Sequence, residues 1–495
     1  MGLEIEREEF ADEEYRRFAE RLRASIEVLE EILSRPGFGD GPATLGAELE
    51  FSLIDRELRP APCNRAVLQD AAHPHLTLEC DRFDLECTTP PVALAGRPFT
   101  ALGEQLERTL EAARDAAVRH GARPATIGIL PTLAAHDLQS GALTDSARYR
   151  ALSAGIRRLR GAPFEFRIDG RDETLAVACD DVTFEGATTS WQVHLKSALA
   201  SFRGNYNAAQ IATAPVLAIA GNSPLFLGHR LWDETRIALF RQAVDERQDA
   251  DPDDWRPARV SFGNGFARSG ALELFAESVA LHPAVIPVLG DEDPRTAARS
   301  GVPALAELRL HQGTIWRWNR PVFDPADGGH VRLEMRALPC GPTMLDMLAN
   351  GAFLTGLVLA LAPDVERTMH AITFGQARRN FYAAARDGID AEILWPAREA
   401  PSPRPVPALE LVPRLLPLAQ AALVAHGVAV DEADRLLQVI ERRVAARVTG
   451  ARWQARTLAA IERTSSRDAA IRAMFTRYLE LSASGAPVHE WPLAT

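Results

Sequence analysis

The sequence predicts an α+β fold, a largely antiparallel sheet packed with helices and followed by a helical C-terminal region. Three observations carry that reading. Short segments at 44–54, 76–89, 187–195 and 331–338 alternate apolar and polar residues with the period of a strand. Longer segments with three- and four-residue apolar spacing lie between them, without the strict strand–helix alternation of a parallel sheet. Beyond the prolines at 398–407 the pattern is almost wholly helical, from 409 to 481.

The first helix is marked by Tyr15, Phe18, Leu22, Ile26, Leu29 and Leu33, and Pro36-Gly37 closes it. In the first strand Leu45, Leu49, Phe51 and Leu53 belong to a period-two set opposite Glu48, Glu50 and Ser52. A strand, a turn and a second strand span 76–89 and end at Pro90-Pro91, and a helix runs over 99–120 with Leu102, Leu106 and Leu110 in register. The next strand carries Trp191, Val193 and Leu195 on one face, with Gln192 and His194 on the other. Helices are expected over 205–220 and 231–247, and a strand over 331–338 alternates Arg332, Glu334 and Arg336 with Leu333, Met335 and Ala337. The apolar stretch 343–361 contains Asp346 and Asn350, which favours a buried helix over a membrane span.

At 495 residues the chain exceeds one ordinary core. We expect an N-terminal helix over 1–40, a catalytic unit over 41–397, a proline-rich linker over 398–407 and a helical region over 408–495. A net charge of -12 with no long arginine cluster argues against nucleic-acid binding. The five cysteines are scattered without CxxC spacing, so neither a disulfide framework nor a zinc site is indicated. No apolar signal core stands at the N-terminus, and the expectation is a cytoplasmic protein without a membrane partner.

Two carboxylates two residues apart on a strand share a face and repel unless something positive lies between them. One such pair is commonplace, but this chain repeats the pattern. Glu79 and Glu86 flank the turn Cys80 to Asp84, and Glu334 sits between two arginines. Should these strands share one sheet, four or five carboxylates and His194 converge on one face. Hard oxygen ligands in that number suit Mg²⁺ or Mn²⁺ holding phosphates, with arginines neutralising phosphoryl charge. No GxxxxGK[ST], HExxH or GxSxG motif is present.

The order of these motifs resembles the glutamate-cysteine ligase family, particularly its carboxylate-amine ligase branch. Gly46-Ala-Glu-Leu-Glu50 resembles the family's G-x-E-x-E strand, and Glu79 with Glu86, followed by Thr89-Pro90, its second acidic motif. Asn222-Ser-Pro224, Glu334-Met-Arg336 and the segment from Asn380 to Ala391 are similar to later motifs, so the likeness covers roughly 44–395. What the resemblance implies is a glutamine-synthetase-like funnel of antiparallel strands and ATP-dependent coupling of the glutamate side chain to an amine through an acyl phosphate. It implies metal ligation by Glu48, Glu50, Glu86 and Glu334, with Glu79 and His194 beside them, and phosphoryl stabilisation by Arg336. Substrate contacts are expected from Gln192, Arg236, Arg247, Arg332 and Arg386.

Two other readings stand beside the ligase: a nucleotide- or amino-acid-binding relict of the same fold, and a metal-dependent hydrolase. The tryptophan-rich segment from Ile315 to Pro321 reads either as core packing or as a wall of the amine pocket.

Overall fold

The computed structural model describes residues 5–247, 256–396 and 402–493. Its centre is an eight-stranded antiparallel sheet built from β1 (Thr44–Ile54), β2 (Leu76–Leu78), β3 (Asp84–Thr88), β4 (Val92–Ala93), β5 (Arg123–Ala125), β6 (Trp191–Lys196), β7 (Asn319–Asp324) and β8 (His330–Met335). The main path runs β7-β8-β6-β1-β3-β2, and β4 and β5 also pair with β1. The longest strand therefore lies centrally and carries Glu48 and Glu50.

The alternation works as the period predicts. Leu45, Ala47, Leu49, Phe51 and Leu53 of β1, Trp191, Val193 and Leu195 of β6, and Leu333 and Met335 of β8 are all buried. Helices cover that apolar face: α1 (Asp12–Leu33) lies to one side, and α2 (Pro98–Arg119), α3 (Phe202–Ala220) and α4 (Met344–Leu361) pack on the strands. Thr343 caps α4 by accepting from the Asp346 amide at 3.1 Å. Gly351 lets α4 approach β6, because a Cβ there would stand 2.3 Å from Trp191 Cη2.

The C-terminal helices are α5 (Ala408–Ala425), α6 (Val430–Ala446), α7 (Gly450–Glu462) and α8 (Arg467–Ala483). Both α5 and α6 pack directly on α4, so they extend the same core. Of the expected linker, 398–401 lie outside the described residues, while Arg404–Pro407 pair antiparallel with Glu392–Trp395. By length and apolarity alone two helical stretches, Met344–Ala371 and Ala408–Ala425, could cross a membrane; 78% of the most apolar part of the first is buried inside the protein, as befits a core helix.

Some boundaries shift from the sequence expectation. The helix expected over 231–247 spans only Thr235–Ala243, because the Asp233 and Glu234 amides bond the Arg386 and Ala385 carbonyls instead. The helix Ala147–Arg160 and the hairpin Phe164–Asp169 with Thr174–Cys179 lie outside the elements assigned from sequence, although Phe164, Phe166 and Ile168 alternate inward.

Candidate active site

Register brings the acidic residues together. Opposite Glu50 on β1 stands Glu86 on β3, opposite Glu48 stands Gln192 on β6, and His194 on β6 faces Glu334 on β8. Ligand atoms of Glu48, His194 and Glu334 lie within 4.8 Å of one another, and so do those of Glu50, Glu79 and Glu86. All six residues expected to surround metal thus fall into two adjacent groups on the polar face of one sheet.

The two groups differ in charge balance. Burial pushes the Glu334 carboxyl up, but Arg320, Arg336 and His194 outweigh it and hold the group down at about 2. Glu48 is likewise raised by burial yet held well below the usual range by His194 and Arg336. Glu79 and Glu86 go the other way: burial raises both, and neighbouring carboxylates, chiefly Glu50 and Glu48 respectively, raise them further. Carboxylates crowded like this need protons or cations. Hard oxygen donors at such separations fit a divalent ion, and among the described residues no arginine forms an ion pair with Glu50, Glu79 or Glu86 as Arg320 and Arg336 do with Glu334.

Hydrogen bonds fix the rest. Glu50 accepts from the Ser190 amide at 2.7 Å and from Gln192 Nε2 at 2.8 Å. The Gln192 amide oxygen in turn accepts from Arg336 at 2.6 Å, and Arg336 also donates to Glu334 at 3.2 Å. Gln192 is therefore the link between the two acidic groups. Arg332 donates to His194 Nδ1 at 3.0 Å and pairs with Asp324 at 2.8 Å. His194 Nε2 lies 3.3 Å from Glu48 and 3.7 Å from Glu334.

A cavity opens beside Glu50, Glu79 and Arg336. Arg236, Phe240 and Trp318 line it, together with Asp84, Glu185, Gly186 and the run Thr188 to Ser190. Arg236 is buried, paired with Glu234 at 3.0 Å and hydrogen-bonded to the Ala337 carbonyl. Trp318 packs edge-on against Phe240, so the tryptophan-rich segment is core and cavity wall at once. Two expected substrate residues are not brought here. Arg386 is exposed and paired with Asp387, and Arg247 bonds Asp245.

Sequence reasoning does not single out Arg320 or Glu185. Arg320 pairs with Glu334 across the β7–β8 ladder, a partnership visible only once the register is known. Glu185 lies on a single helical turn, Thr183–Gly186, with no periodic signal; burial raises its carboxyl to about 7, with the Glu50 charge adding to the shift and Cys80 and Arg336 opposing it.

Comparison with known proteins adds the family. The sequence profile of glutamate-cysteine ligase family 2 (GCS2) matches residues 44–474. The chain belongs to glutamate-cysteine ligase family 2. Membership makes it an ATP-dependent ligase of the carboxylate-amine class. The match runs past 395, so most of the C-terminal helical region falls within the family's extent.

Among solved structures, glutamate-cysteine ligase from Francisella tularensis in complex with AMP shares the fold with a TM-score of 0.58 and 11% identity, covering 90% of each chain. A bifunctional glutathione synthetase from Pasteurella multocida aligns with a TM-score of 0.51 and 10% identity, over 93% of this chain and 55% of its own. Curated protein sequences contain no match.

Proposed function

We propose that this ligase joins the side-chain carboxylate of glutamate, or of a close analogue, to an amine through an acyl phosphate formed from ATP, with cysteine as one candidate amine. The observation that carries the reading is the pair of adjacent ligand groups, Glu48/His194/Glu334 and Glu50/Glu79/Glu86, on one sheet face beside Arg336. Mg²⁺ or Mn²⁺ held there would offset the repulsion between phosphates and carboxylate and spread charge from the transferring phosphoryl group.

The chain's own residues supply the positioning. Arg336, kept fully protonated among Glu334, Glu50 and Glu48, faces the transferring phosphoryl group. Gln192 holds Arg336 and Glu50 in mutual register, and Arg332 fixes the ring of His194. Arg236, at the cavity wall, receives a carboxylate of the acid substrate. A carboxylate oxygen attacks the γ-phosphorus and ADP leaves; the unprotonated amine nitrogen then attacks the carbonyl carbon, the C–O bond to phosphate breaks, phosphate departs, and the nitrogen gives up a proton to become the amide. The reading places the protein in the cytoplasm, in keeping with five free cysteines.

The test is phosphate release from ATP by the purified protein with Mg²⁺, with and without glutamate, across amines that include cysteine. Release that requires metal, glutamate and one amine is the expected result. Bound ATP with no release for any amine would overturn the ligase in favour of a binding relict, and amide cleavage without nucleotide would favour a hydrolase. The intact acidic set speaks against the relict.

A further inference from the structure

Two carboxylates beside the cavity, outside both ligand groups, have no cationic counterpart among the described residues. Asp84 is 2% exposed; its Oδ1 accepts from Ser52 Oγ at 2.7 Å, and its Oδ2, in a cavity-lining residue, has no partner. Asp81 is fully buried, and neither carboxyl oxygen has a partner. Its carboxyl is pressed against the cavity wall at Gly186, where a Cβ would come within 2.4 Å of Asp81 Cγ. The charged groups that face Asp81 are Glu185, Asp181 and Glu79, all carboxylates. Those that face Asp84 are Asp81, Glu79 and Glu50. Among the described residues, no arginine, lysine or histidine pairs with either.

A buried carboxylate without a donor is costly, and two beside each other more so. Neither belongs to the two ligand groups described above. What would satisfy them is a compact cation bearing several N–H donors. The proposed reaction has one substrate of that kind. The acid and the nucleotide are anionic and are matched by Arg236 and Arg336, which also line the cavity, whereas an amine at neutral pH arrives as its ammonium ion.

We propose that Asp84 and Glu185, backed by Asp81, form the subsite that binds the amine substrate as an ammonium ion. The proposal rests on the ligase reading, and it identifies the acceptor as a primary amine that enters cationic end first. Asp84 and Glu185 line the same cavity as Arg336, so the bound nitrogen lies within the space that holds the activated carbonyl, and one of the two carboxylates takes a proton from the ammonium ion to free the lone pair that attacks it.

Two probes separate the charge requirement from the chemistry. Hydroxylamine is largely uncharged at neutral pH and captures an activated glutamyl group as a hydroxamate, whereas methylammonium carries full charge. With Mg-ATP and glutamate, we expect methylammonium to suppress hydroxamate formation in the parent enzyme. In Asp84→Asn and Glu185→Gln its inhibition constant should rise ~10–100-fold relative to the KM for hydroxylamine, the factor for a lost charge-assisted hydrogen bond. Both variants should be at least as heat-stable as the parent, since each removes a buried carboxylate charge; a structural role would lower stability. An unchanged ratio of the two constants in both variants would overturn the subsite. So would a higher Mg²⁺ requirement with unchanged methylammonium inhibition, which would assign these residues to a further metal ion. If the parent forms no hydroxamate, the ligase reading fails by itself. Calorimetric titration with methylammonium chloride against equal sodium chloride then decides the cation site: binding in the parent that Asp84→Asn removes upholds it, and no binding in the parent overturns it.

Discussion

Glu334 and Arg336 stand two residues apart at the end of β8, and their side chains meet at 3.2 Å while Arg320 holds the other side of the carboxylate. Replacing Arg336 by Lys keeps the charge but loses the planar fork that reaches Gln192 and Glu334 together. We expect kcat to fall ~10²–10³-fold with a much smaller change in ATP affinity, as for removal of one preorganised donor. Steady-state kinetics beside equilibrium ATP binding would check this, and an equal loss in both would point to ground-state binding instead. A second residue-scale effect concerns Asp233, whose carboxyl burial raises to about 6 against the pull of Arg452 and Arg171. The folded state therefore binds its proton more tightly than the unfolded chain, where the group titrates near ~3.9. Its stabilising contribution is complete below that value and is lost as pH rises through about 6. Asp233→Asn should raise the Tm at pH 8 and leave it nearly unchanged at pH 4; an equal gain at both would show that packing, not titration, is responsible.

At the scale of elements, the polar face depends on how closely the apolar face is packed. Gly351→Ala would drive a methyl into Trp191 and force either α4 or β6 to move. Overpacking of this kind costs ~1–3 kcal/mol, and any shift of β6 carries Gln192 and His194 with it. Urea unfolding should show the loss of stability, and the Mg²⁺ concentration for half-maximal activity should rise. The same strands explain what could be read in advance. Period two places Glu48 and Glu50, or Gln192 and His194, on a common face without knowledge of partners, because the pleat is local. The two ligand groups needed more, since which carboxylate meets which depends on register, and register came from the likeness of the motifs to a known family. Residues outside periodic segments stayed hidden: Glu185 reaches the cavity from one helical turn, and Arg320 is defined by a cross-strand partner. Arg386 is the converse case, a motif position whose side chain pairs with its neighbour Asp387.

For the molecule as a whole, the C-terminal helices determine whether the N-S-P turn stays in place. Asn222 donates to the Tyr478 hydroxyl of α8 at 2.8 Å and to the Cys340 carbonyl at 2.7 Å, and Gln454 of α7 donates to its side-chain oxygen at 3.0 Å. The Asn222 amide bonds Glu234 at 2.8 Å, and Glu234 holds Arg236 at the cavity wall. Tyr478 is fully buried between Trp453 and Trp491 and also donates to the Thr126 carbonyl at 2.9 Å. Tyr478→Phe keeps the ring packing and removes only the hydroxyl, leaving the Thr126 carbonyl without its donor and Asn222 short of an acceptor. A buried polar group stranded in this way costs ~1–3 kcal/mol, so the urea midpoint should fall with an unchanged m-value. Because the hydroxyl lies at the far end of a chain of hydrogen bonds to Arg236, the KM for the acid substrate should rise in the same variant while that for ATP stays near the parent value. A loss of stability with both KM values unchanged would mean that the C-terminal helices brace the core without reaching the site.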